Sequence, residues 1–333
     1  LNAAEPQSIV IKESFFTTDQ SRENIDSPAV WHGSDGQHLL FATSKAGNSI
    51  NVFDASNGAM IRRLGGLGSE LGQFNRPNGI WVIDDYMLVV ERDNQRVQVV
   101  YLPTLVSIAT FGEGILKKPY GLYVKSSGKN EYHVYVTDNY EAADEKLPAD
   151  RDLDKRIHRF VLETVGNTAE GEWDAQFGAT SGDGRLFVVE SVYGDPVHNH
   201  LLLAEELEDS TWGRQVKVYD FEGAFTGKSF GQGIFKNQVE GIALYPTSDT
   251  AGYWIVTDQG KIENLFHVFD RETFEYKGAF SGERTLNTDG VWLSQTTIPH
   301  FPNGVFYACD NDKAIAAFDL GNVLTGLGLN LAK

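Results

Sequence analysis

Cysteine is nearly missing from this chain: Cys309 is the only one in 333 residues, which excludes an intrachain disulfide. It sits mid-run in VFYACD and reads as a small buried apolar side chain. Basic residues are scarce too. Lys and Arg total 28 against 46 Asp and Glu, a formal net charge of -18, so a nucleic acid would be repelled, and no basic cluster offsets the repulsion. Such an acidic surface suits cations. The longest apolar runs are strand-length, too short to span a bilayer, and no helical periodicity persists beyond a turn or two. The opening LNAAEPQ has neither a charged n-region nor an apolar h-region, which leaves a cytosolic protein or one whose signal lies upstream of this numbering. What the chain does have is 12% aromatics and 34 glycines, the material of a turn-rich β protein with an ample core.

The stretch 239–270 shows the organisation. Apolar runs Gly241 to Tyr245, Tyr253 to Thr257 and Leu265 to Phe269 are separated by turn clusters, and Tyr276 to Phe280 supplies a more polar fourth strand. The pattern recurs, beginning near Pro28, Pro77, Pro119, Asp183, Glu240 and Asp289. Its second strands read LLFATS, MLVVER, HVYVTD, LLLAEE, YWIVTD and VFYACD, and its third strands INVFD, VQVVY, IHRFV, VKVYD, FHVFD and AIAAFD. Six four-strand repeats without a linker predict one domain, 1–333, folded as a six-bladed β-propeller. The alternating SIVIKESFF near the start is expected to complete the last blade and close the ring.

Two insertions stand outside the pattern. Within the insertion Tyr140 to Lys155, Asp150-x-Asp152-x-Asp154 imitates the start of an EF-hand loop, but Lys155 replaces the required Gly and Val161 the closing Glu, so it reads as a solvated loop. His198-Asn199-His200 has no third ligand at fixed spacing and reads as a surface loop.

The repeats share acidic or amide residues at strand ends that point to one rim of the channel: Asp26, Asp183, Glu205 or Glu206, Glu240, Asp258 or Gln259, Asp289 and Asp310. Carboxylates converging on one axis repel unless a positive charge sits among them. Oxygen ligands from several loops suit Ca²⁺ better than Mg²⁺. Alternatively, each such residue closes a blade turn by accepting a backbone N–H.

Gly68 to Ile80 with Glu91 to Val97 resembles the NHL repeat, a propeller blade motif, and Phe111 to Val124 does so loosely. A second resemblance spans nearly the whole chain in order. Asp26-Ser27-Pro28-Ala29-Val30-Trp31, Leu203-Ala204-Glu205-Glu206, Glu240-Gly241, Gln259-Gly260, Thr288-Asp289-Gly290 and Pro302 to Ala308 are similar to signatures of the β-propeller phytases. That resemblance implies a six-bladed propeller and calcium-dependent hydrolysis of phosphomonoesters such as phytate. It implies Ca²⁺ held by Asp26, Asp183, Glu205, Glu240, Gln259 and Asp289, with a water activated by the metal attacking phosphorus. Lys45, Arg92 and Tyr120 fall on its phosphate-binding positions, Arg offering a bidentate fork and Lys a point charge, with Glu240 completing the reactive set. A monomer that is secreted or periplasmic is expected on the same ground. Departures are Ser27 for a paired aspartate, Pro77 and Gly79 for an N-x-D pair, Asn139 for a lysine, and Asp183-Gly184 for the fourth blade's E-G. Those losses keep two alternatives open: a calcium-dependent lactonase of the gluconolactonase type, and a non-catalytic NHL-type binding propeller.

Overall fold

The structure is a computed structural model that describes residues 8–209 and 211–332; the opening LNAAEPQ lies outside them. Six small sheets form a six-bladed β-propeller. Two N-terminal strands, β1 (Ser8–Ile11) and β2 (Phe15–Phe16), precede blade 1, which runs β3 (Ile25–His32), β4 (His38–Ser44), β5 (Ser49–Asp54) and β6 (Met60–Leu64) from axis to edge. Blade 2 follows with β7 (Pro77–Ile83), β8 (Tyr86–Glu91), β9 (Arg96–Tyr101) and β10 (Val106–Phe111). Blade 3 has β11 (Pro119–Gly128), β12 (Glu131–Asp138), β13 (Ile157–Val165) and β14 (Thr168–Phe177). Blade 4 consists of β15 (Val189–Asp195), β16 (His200–Glu205), β17 (Gln215–Tyr219) and β18 (Phe225–Phe230). Blade 5 comprises β19 (Gln238–Pro246), β20 (Gly252–Gln259), β21 (Leu265–Asp270) and β22 (Tyr276–Gly282). Blade 6 draws on β23 (Val291–Ser294), β24 (Val305–Asp310) and β25 (Ala314–Asp319), and a short helix α1 (Leu320–Gly326) follows.

SIVIKESFF does close the ring, but as two strands rather than one. Phe15 and Phe16 pair antiparallel with β25 as the fourth strand of blade 6, whereas β1 runs parallel to β22 as a fifth strand on blade 5. The break falls at Glu13, whose Oε1 accepts the Arg284 and Thr285 amides, both at 2.9 Å, and the Thr285 hydroxyl at 2.7 Å. One acidic side chain thus pins the clasp.

Apolar side chains of the middle strands interdigitate between neighbouring blades. Between blades 5 and 6, the rings of Phe266, Phe280 and Phe306 lie 4.9 to 5.6 Å apart; such tilted pairs add to the area they bury. Nearer the axis, the inner strands touch backbone to backbone. A Cβ on Gly121 would lie 2.2 Å from the Glu190 carbonyl oxygen, and one on Gly290 would lie 2.6 Å from the Ser27 Cα. Glycine at these places is set by that approach rather than by turn geometry.

In blades 1 to 5 the pairing of the two innermost strands slips just inside one rim. Ile25 faces Ser44 but Pro28 faces Ala42, and Val239 faces Asp258 but Ile242 faces Val256; blades 2, 3 and 4 slip at the same place. Two residues then oppose one, a bulge that re-aims side chains. Asp26, Asn78, Tyr120, Glu190 and Glu240 are the first of each inserted pair, and all of them line the mouth of the channel.

Candidate functional site

Two successive residues at the end of each blade's second strand do different work. The first is a cap. Asp138 accepts the Lys117 and Lys118 amides at 2.9 and 2.7 Å, Glu205 those of Phe187 and Val188 at 2.6 and 2.9 Å, and Asp258 those of Lys236 and Asn237 at 2.9 and 2.8 Å. Glu91 and Asp310 hold Asn75 and Leu286 in the same way. Each ties the loop entering a blade to that blade's second strand. The second residue, by contrast, lies one step further toward the rim: Lys45, Arg92, Asn139, Glu206, Gln259 and Asn311.

The channel mouth therefore collects side chains from two rings, the bulge residues and these strand-end residues. Asp26, Glu190, Glu240 and Asp289 border a cavity of about 40 Å³ on the axis together with Asn78 and Tyr120. That is space for an ion or a water. Glu190, Glu206 and Glu240 each place a carboxylate oxygen within 4.8 Å of the other two. Below the cavity the channel continues into a void of about 70 Å³ lined in part by aromatic rings, Trp81, Tyr193 and Trp292. There Trp81 meets the rings of Tyr123, Tyr193 and Trp292 at 4.9, 5.0 and 5.1 Å.

Hydrogen bonding at the mouth is incomplete. Lys45 Nζ sits 2.6 Å from Asp26 Oδ1, and the Ser27 hydroxyl donates to Asp26 Oδ2 at 2.7 Å. Gln259 Nε2 donates to Asp289 Oδ1 at 2.8 Å, and Asn139 Nδ2 to Glu190 Oε1 at 3.3 Å. Yet Glu206 Oε1, Asp289 Oδ2 and both polar atoms of the Asn78 amide are buried without a partner among the described residues. Buried oxygens are rarely left so. They are the donor set a hard cation takes, and the residues present fit Ca²⁺: several carboxylates, two amides and a phenol from different loops.

Electrostatics say the same. Burial, then the charges of Glu190, Asp289 and Asp26, push the Glu240 carboxyl well above its usual range. Burial and the neighbouring glutamates do likewise for Glu206, and burial with Asp26 for Asp289. Glu190 rises to about 7 through burial and Asp26, against the pull of Lys45. Lys45 is half of an ion pair inside this set. Burial opposes its charge, but Asp26, Asp289 and Glu190 hold its pKa above the ordinary value. Arg92, on the neighbouring blade 2, places Nη1 3.5 Å from the Tyr120 hydroxyl.

Of the residues expected from sequence, Asp26, Lys45, Tyr120, Glu240, Gln259 and Asp289 meet at this mouth, with Arg92 at its edge. Two do not. Asp183 is exposed on a short turn, Gly182–Gly184, that packs on Phe225 of the outermost strand β18. The fourth blade's inner strand begins later, so Glu190-Ser191 holds the place assigned to Asp183-Gly184. Glu205 is consumed as a cap, and Glu206 takes its place at the axis. Glu190 is thus the residue the sequence reading missed, and of the alternatives Glu205 and Glu206 it is Glu206 that reaches the axis. Aligning LLLAEE with YWIVTDQ matches Glu205 to Asp258 and Glu206 to Gln259, which was the available signal; for Glu190 the Ser in place of Gly concealed it. His198 and His200, read as a loop pair, belong to the opposite end of blade 4. His198 bonds Asp195 at 2.8 Å, and His200 opens β16.

Compared with models of known protein families and with curated proteins, the chain gives no match.

Proposed function

We propose that the channel mouth is a calcium-dependent site for phosphomonoester hydrolysis, of the kind the β-propeller phytases perform. One observation carries this reading: five carboxylates, with two buried oxygens unpartnered, converge on a small axial cavity beside Lys45 and Arg92. The carboxylates alone would repel a phosphate. Asp26, Glu190, Glu206, Glu240, Gln259 and Asp289 would hold Ca²⁺, which would supply the charge that draws phosphate in and polarises its oxygens. Lys45 then offers a point charge to one phosphate oxygen and Arg92 a planar fork to two. The Tyr120 hydroxyl, its pKa raised by burial and by Glu190, stays protonated and donates to a third. These cationic and phenolic donors lie on blades 1, 2 and 3, across the axis from most of the carboxylates, with Lys45 bridging to them through Asp26.

Phosphate release from phytate and from 4-nitrophenyl phosphate is to be measured with excess Ca²⁺ and with chelator. Calcium-dependent release that Glu240→Ala abolishes is expected; a rate unchanged by that substitution refutes the assignment. The compactness of the three-glutamate group also suits a single central ion, which favours the lactonase reading as the alternative. Under that reading lactones are cleaved, and Lys45 and Arg92 are dispensable.

A further inference from the structure

A second cavity, of about 470 Å³, opens on the same rim but out over blade 3, between the insertion 140–155 and strand β14. Its walls are aromatic and fixed. The Trp173 indole N–H donates to His158 Nδ1 at 3.3 Å, and His158 Nε2 lies 3.5 Å from Asp138 Oδ2, the carboxylate that caps Lys117 and Lys118. Trp173 is nevertheless 45% exposed, on the outermost strand. Tyr140 is fixed from two sides, its hydroxyl donating to the Asp152 carbonyl and its ring covered by the Arg156 guanidinium at 4.6 Å. Lys117 and Lys155 stand at the opening, both exposed and neither in an ion pair among the described residues.

Blade 5 provides an internal control. It repeats the same relay, Lys236 and Asn237 amides to Asp258, Asp258 to His267 at 3.4 Å, and His267 to the Tyr276 hydroxyl at 3.1 Å. There Phe235 packs edge-on against His267 at 5.1 Å, and Lys236 is paired with Glu263. In blade 3 the matching residues are Leu116 and Lys117. A smaller side chain and a free lysine replace a filling ring and a neutralised one. The relay is therefore blade architecture, and the open, cation-flanked pocket is particular to blade 3.

We infer that this pocket binds an aromatic ring carrying an anionic group, with the ring against Trp173 and Tyr140 and the anion between Lys117 and Lys155. The inference is independent of the calcium site, since no residue of the axial cavity lines this pocket.

Isothermal titration of the full chain with AMP and with 4-hydroxybenzoate, in chelator so that the axial site is silent, tests it. Saturable binding of at least one is expected, weakened at least about tenfold in Trp173→Ala and in Lys117→Ala/Lys155→Ala, and unchanged in Glu240→Gln. The lysine pair is exposed, so its replacement does not endanger folding. Absence of heat from both ligands up to about 10 mM, or affinity retained in both pocket variants, overturns the inference.

Discussion

Replacing Glu190 with glutamine should stabilise the metal-free protein at alkaline pH and leave it unchanged at acid pH. Burial beside Asp26 lifts the Glu190 carboxyl from 4.5 to about 7. A folded-state pKa raised above the unfolded one means that stability is fully present below about pH 4.5 and is lost as pH rises through 7. The ionised side chain then costs about 3 kcal/mol of folding free energy. Glutamine has the shape of the protonated acid and keeps an oxygen for the Asn139 amide, so Glu190→Gln removes that cost at pH 8. A chain of 333 residues has an unfolding entropy of about 0.7 kcal/mol per kelvin, which converts the gain to a Tm rise of about 4 °C. Differential scanning calorimetry in chelator at pH 5 and pH 8 reads it. With saturating Ca²⁺ at pH 8 the order should reverse, because wild type gains the ion's binding energy through one more carboxylate. An equal loss of Tm at both pH values in chelator would show that the Glu190 charge is stabilised rather than strained, and the electrostatic account of the channel mouth would be refuted.

Lys45→Met should leave Ca²⁺ affinity equal or higher, since it removes a cation from among the carboxylates, while phosphate release falls on the order of a hundredfold; loss of calcium binding by calorimetry would contradict this. Asp258→Ala takes the acceptor from two backbone amides and from His267 and should cost about 2 to 4 kcal/mol, seen as a lower Tm with the Ca²⁺ titration unchanged. Gln259→Ala should do the reverse, and Asp183→Ala should alter neither readout. Gly121→Ala forces a methyl into the Glu190 carbonyl and should destabilise by at least about 2 kcal/mol in denaturant unfolding.

The propeller was legible because its signal is repeated: a strand such as YWIVTD is ambiguous alone, but six in order are not. The site was legible where the bulge leaves a recognisable pair, as at Asp26-Ser27 and Glu240-Gly241. It failed where two acidic neighbours share a strand end. Glu205 and Glu206 are chemically alike, and only the register of β15 against β16, Val189 opposite Glu205, decides which one caps and which reaches the axis. At Asp183-Gly184 a turn carried the expected letters while the true inner strand began at Val189. The blade 3 pocket had no sequence signal, because its walls, among them Lys117, Tyr140, Lys155 and Trp173, come together only in the fold.

The clasp of β2 on β25 joins Phe15 to Ala317, a contact across about 300 residues. Bringing such distant segments together costs about 5 kcal/mol of chain entropy, and the pairs of β1 and β2, the Ser14 and Thr17 amides bonded to Ala317 and Ile315, and the Glu13 anchor offset it only once β22 and β25 are formed. Blade 6 must therefore wait, its outer edge open, until every other blade is in place. During that wait the β2 segment of a second molecule competes for the same edge. Refolding at high protein concentration should accordingly yield exchanged dimers in which each chain completes the other's last blade, and dilution should restore closed monomeric rings.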